Sequence, residues 1–211
     1  LVTTTAQPAP ARDTYEAIFA AGAEEFAERG FEGAGVDRIA AGARVNKAML
    51  YYHFGSKRGL YLEILRHMFR AVGARARAIA AADGPADQKT DAWIAALIEE
   101  AAARPWFPSI MLRELASGAP RFDPDTFALM NAVYGAVHDI IRQGQREGTF
   151  RAVDPLLTHL TVMPPILMFF ARQRVLDRSV AGREGLAEPR GMEQFVRHMQ
   201  EALRRILRND S

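Results

Sequence analysis

Apolar residues recur at spacings of three and four along most of this chain, and no stretch alternates convincingly between apolar and polar. Tyr15, Ile18, Phe19, Ala23 and Phe26 fall on one face of a helix, and Gly30 should stop it, as glycine does just past a helix end. Val36, Ile39, Ala40 and Ala43 give a short second stripe, and a third segment, Lys47 to Phe54, follows after only about three residues. Ser56 is an N-cap for a longer helix carrying Leu60, Ile64, Leu65, Met68 and Val72.

Ala82-Asp83-Gly84-Pro85 marks a boundary, because Gly-Pro ends one element and resets the chain. Trp93, Leu97 and Ile98 then define a helix, and Phe107 to Leu115 a shorter one. The longest clean stripe is Phe127, Met130, Val133, Tyr134, Val137, Ile140 and Ile141, with Gly148 as its cap. Asp154-Pro155 reads as N-cap and first residue of the next helix, where proline's missing N–H costs nothing. Pro164 and Pro165 fall inside that helix and predict a kink or break at 163–165, which could serve as a pocket wall. Residues 178–191 read as a linker, and a last helix carries Phe195, Met199, Leu203, Ile206 and Leu207 opposite a basic face. The pattern predicts an all-α protein of about nine helices with no internal repeat. The expected division is a disordered tail at 1–11, a first domain at 12–58 and a second at 59–211, with a connecting helix over about 57–82.

Two short helices around the turn Arg44-Val45-Asn46 are the pattern of a helix-turn-helix. Asn46 stands one step before the second helix, as an N-cap. Leu50 and Phe54 can pack with Val45 and Ile39, leaving Ala48, Met49 and Tyr52 to face solvent or a major groove.

Composition sharpens this picture. With 49% hydrophobic and 25% charged residues, the chain is globular rather than disordered. Its net charge of only +2 does not announce a nucleic-acid binder. The distribution supports a groove contact, although a basic run can also be a solvated face: after Asp37, residues 38–58 hold Arg38, Arg44, Lys47, Lys57 and Arg58 and no carboxylate. Residues 1–80 carry 11 basic and 8 acidic groups, whereas 81–211 carry 16 and 17, so the excess lies where phosphates would be bound. The absence of cysteine excludes disulfides, thiolate catalysis and Cys-ligated metals, and suits a reducing compartment. Residues 1–11 lack the basic flank and apolar core of a signal peptide. The longest apolar run, Leu160 to Ala171, falls short of the ~20 residues that span a bilayer. A cytoplasmic location without membrane contact is expected.

The order of residues adds a resemblance. Phe26, Gly30-Phe31, Ile39-Ala40, Val45, Lys47, Leu50-Tyr51-Tyr52-His53-Phe54, Ser56-Lys57 and Leu60 make residues 12–60 similar to the DNA-binding domain of TetR-type (tetracycline-repressor-like) transcriptional regulators. The sequence departs from that pattern at Gly35, near a hydroxyl position that often opens the second helix, at Arg44, where glycine is usual, and at Arg58, where glutamate is frequent. The resemblance implies DNA contacts among Arg38, Asn46, Lys47, Ala48, Met49, Tyr51, Tyr52, His53 and Lys57. Lys47 would reach a guanine edge or a phosphate, and Met49 a thymine methyl. Tyr51, Tyr52 and His53 would position the backbone, although Tyr51 could equally pack against the first helix. Lys57 resembles a phosphate-binding lysine.

No catalytic pattern is present. The five histidines form no H-E-x-x-H, there is no G-x-S-x-G, and Gly55-Ser56-Lys57 lacks P-loop spacing. The resemblance implies a non-enzyme without cofactor or metal: a ligand-responsive repressor binding a palindromic double-stranded DNA operator as a homodimer and released by a small, largely apolar effector. An all-α carrier or enzyme sharing the bundle is the alternative. Candidates for lining an effector pocket are Trp93, Phe107, Met111, Phe127, Met130, Tyr134, Met163 and Phe169, each more readily read as plain core, with Asn131, His138 and Arg113 to orient the ligand. Residues 156–171 are apolar almost all round, and residues 192–207 carry one apolar stripe. Leu160, Ile166, Phe170, Phe195, Met199, Leu203 and Ile206 are therefore expected at a four-helix dimer interface.

Overall fold

Each predicted stripe coils into a helix. The computed structural model describes residues 11–178 and 191–209. Among these it holds α1 (Ala11–Gly33), α2 (Val36–Gly42), α3 (Lys47–Phe54), α4 (Lys57–Ala81), α5 (Ala86–Ala103), α6 (Phe107–Ala116), α7 (Pro124–Glu147), α8 (Pro155–Arg178) and α9 (Met192–Leu207). The tail expected at 1–11 and the linker expected at 178–191 lie outside the described residues except at their edges, where Ala11 opens α1, Arg178 closes α8 and Gly191 precedes α9. The chain divides into two compact units, residues 1–65 and 66–211, and the division falls inside α4.

In the first unit α1, α2 and α3 pack on one another. Ile18, Phe26, Ile39, Leu50, Leu60 and Ile64 are wholly buried and form its core. A Cβ at Gly22 would stand 2.7 Å from the Leu60 side chain, so this glycine is what lets α1 and α4 approach. Gly30 leaves the helical conformation at φ 69°, as its place after the first stripe predicted. The turn after α2 is closed by the N–H groups of Arg44 and Val45, which donate to the carbonyls of Ala41 and Ala40 at 3.1 and 3.0 Å. Arg44 takes φ 56°, the left-handed conformation that glycine would adopt at less cost. Asn46 then caps α3, its side chain accepting from the Ala48 N–H at 2.9 Å. Ser56 caps α4 in the same way, through the Gly59 N–H at 2.9 Å.

In the second unit α5 is central, packing on α7, α8 and α9, while α6 and α7 pack on α8. Trp93, Ile94, Ile98, Ile110, Val137 and Ile140 fill its core. Asp123 caps α7 through the Thr126 N–H, Gly148 ends that helix in the left-handed conformation, and Asp154 caps α8 through the N–H groups of Leu156 and Leu157. Gly144 lies hard against Phe150, whose ring would be 2.1 Å from a Cβ there. α9 is tied to α5 by Arg204 on Asp91 and by Gln200, which donates to the Asp91 carbonyl at 3.0 Å.

The prolines do not break the helix. α8 is continuous through Pro164 and Pro165, with no break at 163–165. Two backbone donors are still missing, those that would bond the carbonyls of Leu160 and Thr161. The helix persists because Val162, Ile166 and Leu167 are buried on either side of the prolines, and packing of a buried face outweighs local propensity.

Candidate nucleic-acid interface and apolar cavity

The outer face of α3 is built by the register of its buried residue. Leu50 is fully buried, so Lys47, Ala48, Tyr51 and Tyr52 are turned outward. Tyr52 is 78% exposed and Tyr51 48%, an unusual outlay of aromatic surface on so short a helix. Met49 is half-buried. Of the two alternatives for Tyr51, exposure favours an outward role over burial on α1. Lys47 Nζ lies 3.2 Å from Asp37 Oδ1, both groups being open to solvent. Asp37, the last carboxylate before the basic window, was not recognised as a partner, because residues ten apart on two helices have no fixed spacing in sequence.

Three expected contact residues are engaged inside the unit. Arg38 Nε donates to Glu25 Oε1 at 2.6 Å, and its guanidinium also donates to the Gly33 carbonyl. Burial pushes the Glu25 carboxyl up, but hydrogen bonds from Arg38 and the Gly35 N–H, with the charges of Arg38 and Arg29, outweigh it and hold the group below its ordinary value. Arg38 thus staples α2 to α1. Lys57 Nζ donates to the Ala34 carbonyl at 2.9 Å and lies 4.6 Å from the centroid of the Phe31 ring, so it braces the loop before α2. His53 is half-buried against Tyr15, ring centroids 6.0 Å apart, with Nε2 buried and without a hydrogen-bond partner. These three residues are engaged within the unit, whereas Lys47, Ala48, Tyr51 and Tyr52 of α3 face outward.

The second unit holds a partly open cavity of about 270 Å³. Phe107, Met111, Met130, Asn131, Tyr134 and Met163 line it, all of them candidates from sequence. Trp93, Phe127, His138 and Phe169 do not. Trp93 is wholly buried in the core, Phe127 packs on Phe122, His138 lies 3.2 Å from Asp139, and Phe169 stacks on Phe195 at 3.9 Å between centroids. Pro164, Leu160 and Ile166 line the cavity as well.

Among the lining residues that were not pocket candidates from sequence, the polar one is His159. Its signal was a polar residue on the face of α8 that also carries Leu156, Met163 and Ile166. Its ring lies 5.8 Å from that of Tyr134 and 6.1 Å from that of Trp93. Burial lowers its pKa from 6.5 to about 4, so the imidazole is neutral at physiological pH. Both His159 Nδ1 and Trp93 Nε1 are buried with no hydrogen-bond partner.

Three of the residues expected between copies are accounted for within the chain. Ile166, Met199 and Leu203 are all but fully buried in the second unit, so their stripes serve its core. Phe170, Phe195 and Ile206 are half-buried, and Leu160 is 53% exposed. No helix among the described residues is long and apolar enough to cross a membrane.

Comparison with known proteins agrees with this geometry. A family profile described as "Bacterial regulatory proteins, tetR family" matches residues 18–64. The chain is similar to the HTH-type transcriptional repressor NicS of Pseudomonas putida, at 28% identity over 159 residues that cover 74% of each protein. It is 38% identical to the HTH-type transcriptional repressor SCO4008 of Streptomyces coelicolor over 88 residues, 42% of each. In fold it matches the ketosteroid transcriptional regulator KstR2 of Mycobacterium tuberculosis with a TM-score of 0.73 and 21% identity, over 99% of this chain and 100% of that one.

Proposed function

Because this chain belongs to the TetR family of DNA-binding transcriptional regulators, we propose that it acts as a repressor whose homodimer grips a palindromic operator and lets go when a small, largely apolar effector enters the cavity of its second unit. The observation that carries this reading is the Asn46-capped α3, with Lys47, Ala48, Tyr51 and Tyr52 facing outward from a buried Leu50. One such helix contacts only a few base pairs. A two-fold pair, reading successive major-groove faces roughly 34–36 Å apart or a multiple of that, supplies the missing information. Lys47 and the tyrosines are the residues proposed to touch DNA, while Arg38, His53 and Lys57 hold the reading helix in place. The exposed apolar face of α8, with Leu157, Leu160 and Met168, is proposed to meet its symmetry mate together with Phe170 of the same helix and Phe195 and Ile206 of α9.

The test is selection of bound genomic fragments, followed by anisotropy titration of the recovered site. A palindrome bound with a steep salt dependence supports the reading. Retention of random DNA only, with no enriched sequence, would refute it.

A further inference from the structure

The cavity lining carries information about what enters it. Among the described residues no Lys, Arg, Asp or Glu lines it. Its polar atoms come from Asn131, Tyr134 and His159, and the rest is aliphatic, aromatic and methionine surface. A carboxylate, phosphate or ammonium group placed deep in it, beside His159, would lose hydration without gaining a counter-charge, which is costly in an apolar site. His159 does not supply that charge, since burial keeps it neutral.

A neutral imidazole does have hydrogen-bonding capacity to offer, one N–H and one lone pair. His159 lines the cavity, and its Nδ1 is buried without a hydrogen-bond partner. Buried polar atoms left this way are costly and call for a partner. A hydroxyl is both donor and acceptor, so it complements imidazole in either tautomer. With ~30 Å³ of liquid volume per water, the space takes about nine water-sized groups. Methionines at several lining positions adapt to irregular shapes better than branched side chains do.

Resting on the effector role proposed above, we infer that the cavity selects uncharged, mainly apolar molecules of roughly this size bearing a hydroxyl, with His159 as the residue that anchors it. Carboxylates and ammonium compounds of equal length are excluded. The ligand is chosen by the absence of charge as much as by apolar fit.

The experiment is isothermal titration of the full chain at pH 7.5 with three probes of one length: 1-octanol, octanoate and octylammonium. Octanol is expected to bind at least tenfold more tightly than either ion. Butylbenzene, an apolar probe without a hydroxyl, gives a reference for titrating His159→Leu. That variant should weaken octanol severalfold while leaving butylbenzene unchanged or tighter. Octanoate or octylammonium binding as well as octanol would overturn the inference, as would an unaltered octanol-to-butylbenzene ratio in the variant, or no binding of any probe. If His159→Leu does not fold, the comparison of the three octyl probes on the wild-type chain still decides. Operator binding measured without ligand reports separately on the regulator reading, so tight octanoate binding with intact operator binding overturns only the ligand class.

Discussion

Lys47 Nζ and Asp37 Oδ1 lie 3.2 Å apart across the turn of the helix-turn-helix, so the lysine that heads α3 already has an anionic partner within its own domain. Both groups are solvent-exposed, and such a pair is worth about 0–1 kcal/mol. On the proposed reading, a DNA phosphate or guanine edge would have to displace that carboxylate or share the ammonium group with it. Asp37→Asn is therefore expected to raise operator affinity severalfold at low salt and to raise binding to random DNA as well, because it removes a repelling charge. Lys47→Ala should lose tenfold or more if the lysine makes a bidentate base contact, worth about 1–3 kcal/mol. Anisotropy titrations over a salt series check both. Unchanged affinity in the two variants would remove Lys47 from the reading surface.

Arg44 stands at φ 56° in the same turn. Left-handed backbone costs a non-glycine residue roughly 1–2 kcal/mol, while glycine costs about 0.5–1 kcal/mol in unfolded-state entropy. Arg44→Gly should therefore stabilise the protein by a few tenths to about 1 kcal/mol in urea unfolding. A loss of stability would mean that the arginine side chain contributes more than its backbone costs.

The buried His159 makes stability depend on pH with a definite sign. Its folded pKa is about 4 against an ordinary 6.5, so between these values the unfolded chain binds the extra proton. Stability from this group is complete above pH 6.5 and is lost as the pH falls towards 4. At 1.36 kcal/mol per unit, the loss amounts to about 2 kcal/mol by pH 5, above the range in which carboxylates titrate. Urea unfolding at pH 7.5 and pH 5 should show this difference in the wild-type chain, and His159→Leu should abolish most of it. Equal pH dependence in the two proteins would place the titration elsewhere.

Gly144 tests close packing at the end of α7. A Cβ there meets the Phe150 ring at 2.1 Å, and the N–H groups of Thr149 and Phe150 both donate to the Gly144 carbonyl at 3.1 Å. Gly144→Ala should cost about 1–3 kcal/mol by overpacking. Shrinking the neighbour with Phe150→Leu should recover part of that cost, which a double-mutant cycle would measure.

Much of this was legible from residue spacing. Stripes at three and four, with Asn46, Ser56, Gly148 and Asp154 as caps, place helix ends because each cap satisfies named backbone groups within three residues. Long-range relations were not legible in this way. Nothing local marks Arg38 as the partner of Glu25 or Lys57 as the partner of the Ala34 carbonyl, and a basic side chain reads the same whether it faces phosphate or a neighbouring loop. The break expected at the proline pair is absent for a related reason, since the loss of two donors is local and the packing that offsets it is not, while Pro164 does line the cavity. Likewise an apolar stripe does not say which surface covers it: Met199 and Leu203 serve the core beside α5.

That last distinction supplies a test of assembly. Leu157 and Met168 lie on the outer face of α8, 64% and 56% exposed, whereas Leu203 is 2% exposed. If the outer face joins two copies, light scattering should return the mass of two chains, and Leu157→Glu or Met168→Glu should give a helical, folded monomer. Leu203→Glu should instead unfold the second unit, because it buries a charge without a partner. The same logic extends to DNA. Two reading heads on one rigid dimer bind a palindrome with the second contact made intramolecular, so splitting them should cost about 10²–10⁴-fold in operator affinity while leaving affinity for an isolated half-site unchanged. A Leu157→Glu protein that remains dimeric would move the interface off this face. One that becomes monomeric yet binds the whole palindrome at full strength would show that pairing through α8 does not align the two copies of α3.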